Sequence, residues 1–106
     1  MVIAPGAFFE LVGPFGERND HYTRDNATFG FALGAAALIA IRIRNWRLPV
    51  LVILAVQFSL HAVNHLIDIS AARPELVGPI DVVLVTLGAM LAVLLAVRAK
   101  REQWHE

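Results

Sequence analysis

Three long stretches of this chain contain no Asp, Glu, Lys or Arg, and they limit the possible folds more than any other feature. They cover residues 26–41, 48–67 and 82–97 and are 16, 20 and 16 residues long. A soluble helical bundle needs a polar stripe along each helix, and these stretches offer almost none. Flanking arginines can lay their aliphatic stems along the apolar zone, which extends the two shorter stretches toward the roughly 17–25 residues of a span. We therefore expect an all-α integral membrane bundle of three transmembrane helices.

The composition agrees with a lipid bilayer as the main partner. Hydrophobic residues make up 58% of the chain and charged residues 17%, with a mean hydropathy of +0.62. An average soluble domain has about 45–50% apolar and about 25% charged residues. The absence of cysteine excludes disulfides, thiolate metal sites and cysteine nucleophiles. The balanced charge, without any basic run, argues against nucleic acid as a partner.

The chain is expected to form one membrane domain over residues 1–106. Turn residues divide it into an interfacial or re-entrant segment (1–19), three transmembrane helices (20–44, 48–70 and 80–99) and a cytoplasmic tail (100–106). The aromatic residues of the first segment would lie at headgroup level. Asp20 is expected to cap the first helix, and Pro49 suits the first turn of the second.

Positive residues predict the orientation. They are concentrated in the first loop and at the C-terminal end, as Arg42, Arg44, Arg47, Arg98, Lys100 and Arg101. The second loop has Arg73 against Glu75. Arginine and lysine near span ends favour the cytoplasm, so the N-terminus is expected outside and the C-terminus inside. Arg outnumbers Lys by eight to one, which indicates a bacterial genome of high GC content and thus a bacterial plasma membrane.

Two sets of polar residues have the same helical spacing of i, i+3, i+4 and i+7. The first is His21, Arg24, Asp25 and Thr28, and the second is His61, Asn64, His65 and Asp68, with Gln57 on the same face as the second set. Each set falls on one face of a helix. Antiparallel helices would bring both sets to the same side of the membrane. Polar residues in a span are costly unless they face protein, water or a ligand, so this is the candidate site.

One hypothesis for this site is a single transition-metal ion, with zinc, iron or copper as candidates. His61 and His65 lie one turn apart, as two imidazoles on one ion require. Asp68 could be a third ligand or orient an imidazole, and His21 could complete the set. Haem ranks below a single ion because both histidines share a helix and cannot bind opposite faces of a porphyrin.

Two other hypotheses compete with the metal site. The polar groups could join the helices by hydrogen bonds, with Asn64 and His65 bonded to Thr28 or Asp25. They could also line a proton or small-solute pathway, although three short spans scarcely enclose one. Arg24 has two corresponding interpretations: an ion pair with Asp68 or Asp81, or a clamp for an anion or lipid headgroup.

Small residues mark two helix faces. Gly30 and Gly34 form a GxxxG step, and Gly88 with Ala92 repeats this spacing in the third helix. Residues of this size allow helix backbones to approach closely. Packing within the chain explains the pattern more simply than a dimer contact, although a partner chain would suit so thin a bundle.

Part of the chain resembles a small family of actinobacterial multi-span membrane proteins of unknown function. The resemblance covers residues 5–68 and rests on the run Gly13-Pro14-Phe15-Gly16, on Asn19-Asp20-His21-Tyr22, on Arg24-Asp25 and Ala27, and on His61 and His65-Leu66. Such proteins usually have one more helix upstream, so we expect this member to be shorter or to have a trimmed start. The resemblance implies the architecture and no activity.

The sequence therefore predicts a structural or accessory membrane subunit without its own catalysis. Other membrane subunits, or further copies of this chain, are its expected protein partners. The alternative is a metal-dependent membrane enzyme or redox protein that uses His21, His61, His65 and Asp68. A proton or small-solute pathway ranks third.

Overall fold

The computed structural model describes residues 3–12, 14 and 17–104, and these residues are mostly helical. Four α-helices follow in chain order: α1 (Pro5–Leu11), α2 (Asp20–Arg42), α3 (Arg47–Ile67) and α4 (Val77–Trp104). A single 3-10 turn, Arg44–Trp46, connects α2 to α3. No β-strand occurs in the described residues, so the all-α prediction is confirmed. Gly13, Phe15 and Gly16 of the family motif lie outside the described residues. The two ends of the predicted membrane domain, residues 1–2 and 105–106, also lie outside them.

The start of α2 differs by one residue from the expected cap. Asn19 is the N-cap residue, and its side-chain oxygen accepts a hydrogen bond of 2.9 Å from the backbone N–H of Tyr22. Asp20, expected as the cap, is instead the first residue of the helix, and its carboxylate is bound by Arg18. An Asn oxygen satisfies the exposed N–H groups of a first turn as well as an Asp does, and Asp20 there complements the helix dipole.

The other helix ends also shift from the predicted bounds. Pro49 lies in the first turn of α3, as expected, and α3 ends at Ile67, three residues before the predicted end. Residues 100–104, expected in the polar tail, continue α4 to Trp104. They include Lys, Arg, Glu and Gln, which are strong helix formers. An ion pair of 3.3 Å between Arg98 and Glu102, one turn apart, adds to this preference.

Helices α3 and α4 form an antiparallel hairpin, the main packing contact of the molecule. A Cβ placed on Gly78 would overlap the carbonyl oxygen of Ile69, so the turn lies directly on the start of α4. The ring of Phe58 covers Gly88, where a Cβ would lie 3.1 Å from the nearest ring atom. Ala89 and Ala92 are buried in α4. Small residues thus let the two backbones approach closely.

Helix α2 is joined to the rest of the molecule much less extensively. It contacts α1, the 3-10 turn and α3, but within the described residues it makes no contact with α4. At its end, the Arg47 guanidinium donates hydrogen bonds of 3.2 Å to the carbonyl oxygens of Ala40 and Ile41. The chain extends over 50 × 26 × 15 Å. Because α2 does not pack against α4, the three long helices do not form a closed three-helix bundle.

Two helical segments are long and apolar enough to cross a membrane. They are Arg44–Ile67 and Val77–Trp104, and only 6% and 17% of their most apolar windows are buried inside the molecule. Helix α2 does not meet the same hydropathy and charge criteria. Its first six residues include three charged side chains, Asp20, Arg24 and Asp25, which lower its mean hydropathy. Two of the three predicted spans thus correspond to helices that are long and apolar enough to cross a membrane, and the prediction of three spans is not confirmed.

Candidate functional site

The polar set on α2 lies on an exposed face and interacts mainly within its own helix. His21 Nε2 lies 3.3 Å from the Asp25 carboxylate one turn later, and the two side chains are 83% and 63% exposed. The Thr28 hydroxyl donates a hydrogen bond of 2.6 Å to the backbone carbonyl of Asp25. Arg24 is exposed as well. These contacts are typical of a solvated or interfacial helix start.

His65 lies at the contact of α3 with α4, and His61, one turn earlier on α3, is exposed. The rings of His61 and His65 meet edge to face, with centroids 4.6 Å apart. Across the hairpin, His65 Nδ1 lies 3.9 Å from a carboxylate oxygen of Asp81, and these two side chains are only 15% and 20% exposed. This distance is longer than a hydrogen bond, so the contact is an ion pair when the imidazole is protonated. The partner that α4 offers to the histidine pair is therefore Asp81.

Asp81 was considered in the sequence only as a partner for Arg24. The sequence does contain a signal for its contact with His65, because α3 and α4 are joined by a short loop and must run antiparallel. The last turn of α3 then lies beside the first turns of α4, where Asp81 is the charged residue. Hydropathy and helical spacing within one helix cannot reveal this pairing, because it depends on the rotation of each helix about its axis.

The remaining predicted site residues of α3 do not join this cluster as ligands. Asp68 is the C-cap residue, and its backbone N–H bonds to the carbonyl of Asn64 at 3.0 Å. The Asp68 carbonyl accepts a hydrogen bond of 2.8 Å from the N–H of Ala71 and so takes part in the turn. The side chains of Gln57, Asn64 and Asp68 are all exposed.

The four predicted metal ligands are distributed over different parts of the molecule. His21 lies on the exposed face of α2, the histidine pair lies on α3 with His65 against α4, and Asp68 lies in the turn. Among residues 3–12, 14 and 17–104, no group of three or more His, Asp or Glu is placed to hold a metal ion. The structure thus brings together His61, His65 and Asp81, but it does not assemble the predicted set.

A second polar contact joins the N-terminal segment to α2. The Arg18 guanidinium binds the Asp20 carboxylate through two hydrogen bonds of 2.6 and 2.8 Å. This hydrogen bonding, together with the charges of Arg18 and Arg24, holds the pKa of Asp20 below its usual range. The same guanidinium packs against Gly6 of α1, where a Cβ would lie 2.6 Å from Nη2. The N-terminal segment also reaches the loop between α3 and α4, since Pro14 accepts a hydrogen bond of 3.3 Å from the backbone N–H of Arg73.

Charge is strongly segregated between the two ends of the hairpin. One end of the hairpin contains the connection from α2 to α3 and the last residues of α4, and we call it the basic end. It carries six basic residues and, among the described residues, one acidic residue, Glu102. The opposite end, with the N-terminal segment and the loop after α3, has three basic and seven acidic residues. The acidic residues are Glu10, Glu17, Asp20, Asp25, Asp68, Glu75 and Asp81. The sequence-based prediction had already grouped the first loop with the C-terminal end, and the N-terminal segment with the second loop.

Comparison with protein-family models, with curated proteins and with solved structures finds no significant match for this chain.

Proposed function

We propose that this chain is a small multi-pass protein of the bacterial plasma membrane that acts as a structural or accessory subunit without catalysis of its own. The exposure of its apolar side chains is the observation that carries the proposal. Among the described residues, the buried hydrophobic side chains are five alanines and Val50, while Phe29, Phe31 and Leu94 are 65–76% exposed. Exposing apolar surface to water costs about 25 cal/mol per Å². A lipid bilayer removes this cost.

We assign α2 as a third span beside the α3–α4 hairpin. Its 23 residues would extend about 35 Å at 1.5 Å per residue, enough to cross the hydrocarbon core at a tilt. Residues 26–41 carry no charge, and Leu38 and Ile41 are exposed on its surface. The charged first turns would lie at the headgroups, with Asp20 on the aqueous side.

The segregation of charge supports an orientation with the basic end in the cytoplasm. Lysine and arginine close to span ends are retained on that side. The N-terminal segment and the loop after α3 then lie outside. Three spans agree with this, because each span takes the chain to the other side of the membrane. The open arrangement of α2, which does not pack against α4, supports the role as a subunit, because it leaves helix surface accessible to neighbouring membrane helices.

We interpret the polar cluster of His61, His65 and Asp81 as a link between helices. A cross-hairpin contact at 3.9 Å between two mostly buried groups supports this role. A metal-dependent membrane enzyme and a proton or solute pathway remain the alternatives. The first would need three ligands converging on one point, which no group among the described residues provides, and the second a continuous polar path.

Single cysteines test the membrane topology, and the chain offers a clean background because it has no cysteine of its own. An impermeant thiol reagent on intact cells should label Glu75→Cys. It should label Arg44→Cys and Trp104→Cys only after the cells are permeabilised. The reverse pattern would invert the orientation, and release of the protein by alkaline carbonate would overturn the membrane assignment.

The role as a subunit predicts the mass of the protein in mild detergent. Extracted from its native membrane, the chain should migrate in an assembly larger than its own 11.6 kDa plus the detergent. A single chain that alone turns over a substrate would contradict the proposal.

A further inference from the structure

The last turns of α4 present a basic and aromatic face on the surface of the molecule. Val97, Lys100, Arg101 and Trp104 lie at i, i+3, i+4 and i+7 and line a hollow of about 400 Å³. Lys100 and Arg101 are exposed, as is Trp104, whose indole is 78% exposed. Val97, the last residue of the uncharged stretch, forms the apolar wall of this hollow.

The surroundings of the hollow strengthen its positive character. Glu102 is the one acidic residue that the structure describes at the basic end, and its carboxylate is bound by Arg98 at 3.3 Å. Glu102 lines a separate narrow crevice with Arg44 and Arg47, between the start of α3 and the end of α4. The described acidic charge of this end therefore lies outside the hollow, which leaves Lys100 and Arg101 to determine its sign.

We infer that this hollow binds the phosphate of an anionic phospholipid headgroup. The inference rests on the proposed membrane function. The ammonium of Lys100 offers a point charge to phosphate oxygens. The guanidinium of Arg101 can donate two parallel hydrogen bonds to them. An indole ring is favoured at the depth of the glycerol backbone, and a valine continues the surface toward the acyl chains. Basic residues next to a span attract anionic lipids in the same way.

The continuity of the hollow with the apolar span favours a lipid over a free anion. Val97 and Trp104 offer apolar surface that inorganic phosphate would leave uncovered, whereas a phospholipid covers both ends of the face. The charge asymmetry of the molecule also selects one leaflet, because the opposite end carries a net negative charge. Headgroups with a net negative charge are thus bound only at the basic end.

Fluorescence quenching of Trp104 in vesicles tests this binding. The full-length chain with Trp46→Phe, which leaves Trp104 as the one tryptophan, is reconstituted with brominated phosphatidylglycerol or brominated phosphatidylcholine at the same mole fraction. The anionic lipid should quench Trp104 more strongly. Lys100→Gln with Arg101→Gln should lower the preference for the anionic lipid by about tenfold. A matched control with Arg42→Gln and Arg44→Gln removes two charges from the same end and should retain most of the preference.

Three outcomes would overturn the inference. Equal quenching by the two lipids would mean that no headgroup is selected, and equal losses in both double variants would indicate diffuse attraction to the surface. Relief of the quenching by millimolar inorganic phosphate would assign the hollow to a free anion. Failure of the wild-type chain to insert into vesicles would instead contradict the proposed membrane function. Helix content by circular dichroism shows whether each variant is folded.

Discussion

The α3–α4 hairpin and α2 both contain a long uncharged stretch with small residues, but they pack very differently. In the hairpin, Gly78 lies on the preceding turn, Phe58 covers Gly88, and His65 approaches Asp81. In α2, a Cβ on Gly30 or Gly34 would meet no atom within 4 Å. The difference shows that a small residue stabilises a membrane helix pair only where another helix covers it.

The hairpin and α2 therefore differ in how much their stability depends on surrounding lipids or subunits. The hairpin is held by contacts between its own two helices. Helix α2 buries only Ala27 and Ala40 and is held to the start of α3 by the Arg47 hydrogen bonds. We therefore expect substitutions in the hairpin to change the stability of the isolated chain, while equivalent substitutions in α2 act mainly through lipids or partner subunits.

The largest effect is expected from glycine-to-alanine substitutions that compare the two parts directly. Gly78→Ala places a methyl group against the backbone carbonyl of Ile69, which cannot move without opening the turn. It should lower the free energy of unfolding by about 3 kcal/mol, the upper end for overpacking. Gly30→Ala, the matched control, should be neutral or stabilise by up to about 1 kcal/mol through helix propensity. Unfolding in mixed detergent micelles measures both values, and equal effects would show that the hairpin is not the tighter unit.

A smaller effect is expected from the two histidine–aspartate pairs. A double-mutant cycle of His65→Gln and Asp81→Asn should give a coupling energy of about 0.6 kcal/mol and at most about 1.7 kcal/mol, the range for polar contacts between membrane helices. The same cycle with His21→Gln and Asp25→Asn should give almost no coupling, because that pair is exposed. If the exposed pair were coupled more strongly, our ranking of the two clusters would be wrong.

Metal-binding measurements test whether His61, His65 and Asp81 link the two helices or form a metal site. Zinc, iron or copper offered to the purified protein should bind at well below one ion per chain, and chelator should leave its thermal stability unchanged. Stoichiometric binding that is lost in His61→Ala and His65→Ala but kept in Gln57→Ala would establish a metal site instead. Elemental analysis after dialysis gives the stoichiometry.

The smallest effect concerns the pH dependence of the Arg18–Asp20 contact at the start of α2. The pKa of Asp20 is lower in the folded chain than its unfolded value of about 3.9. The contact therefore stabilises the fold fully above the unfolded value and is lost as the pH falls through the folded one. Comparing wild type with Asp20→Asn between neutral and strongly acidic pH should show a small difference that disappears in acid. A difference that grows in acid would contradict the assigned contact.

Much of the fold could be predicted because hydropathy acts locally along the chain. The uncharged stretches placed the cores of all three long helices, and Pro49 correctly indicated the start of α3. Residues 100–104 were misplaced in a tail because polar composition was weighed above helix propensity. The cap at Asn19 in place of Asp20 could not be foreseen, since Asn and Asp are equally good N-cap residues and stand next to each other here.

The candidate site was predicted only in part. His61 and His65 are adjacent in space because residues four apart on one helix always lie on the same face. The contact of His65 with Asp81, and the separation of His21 on an exposed face, depend on how the helices are arranged. A metal site with ligands from two helices depends on this arrangement. The spacing of residues along one helix cannot establish it.

The sequence by itself determined the helical class, the apolar stretches and the uneven placement of charge, because each follows from local composition. Only the tertiary structure decided that α4 and not α2 faces His65, and that Gly88 is covered while Gly30 is open. It also decided that Lys100, Arg101 and Trp104 face one hollow while Glu102 lines another. These outcomes depend on the rotation and separation of helices, which are determined by packing between residues far apart in the chain.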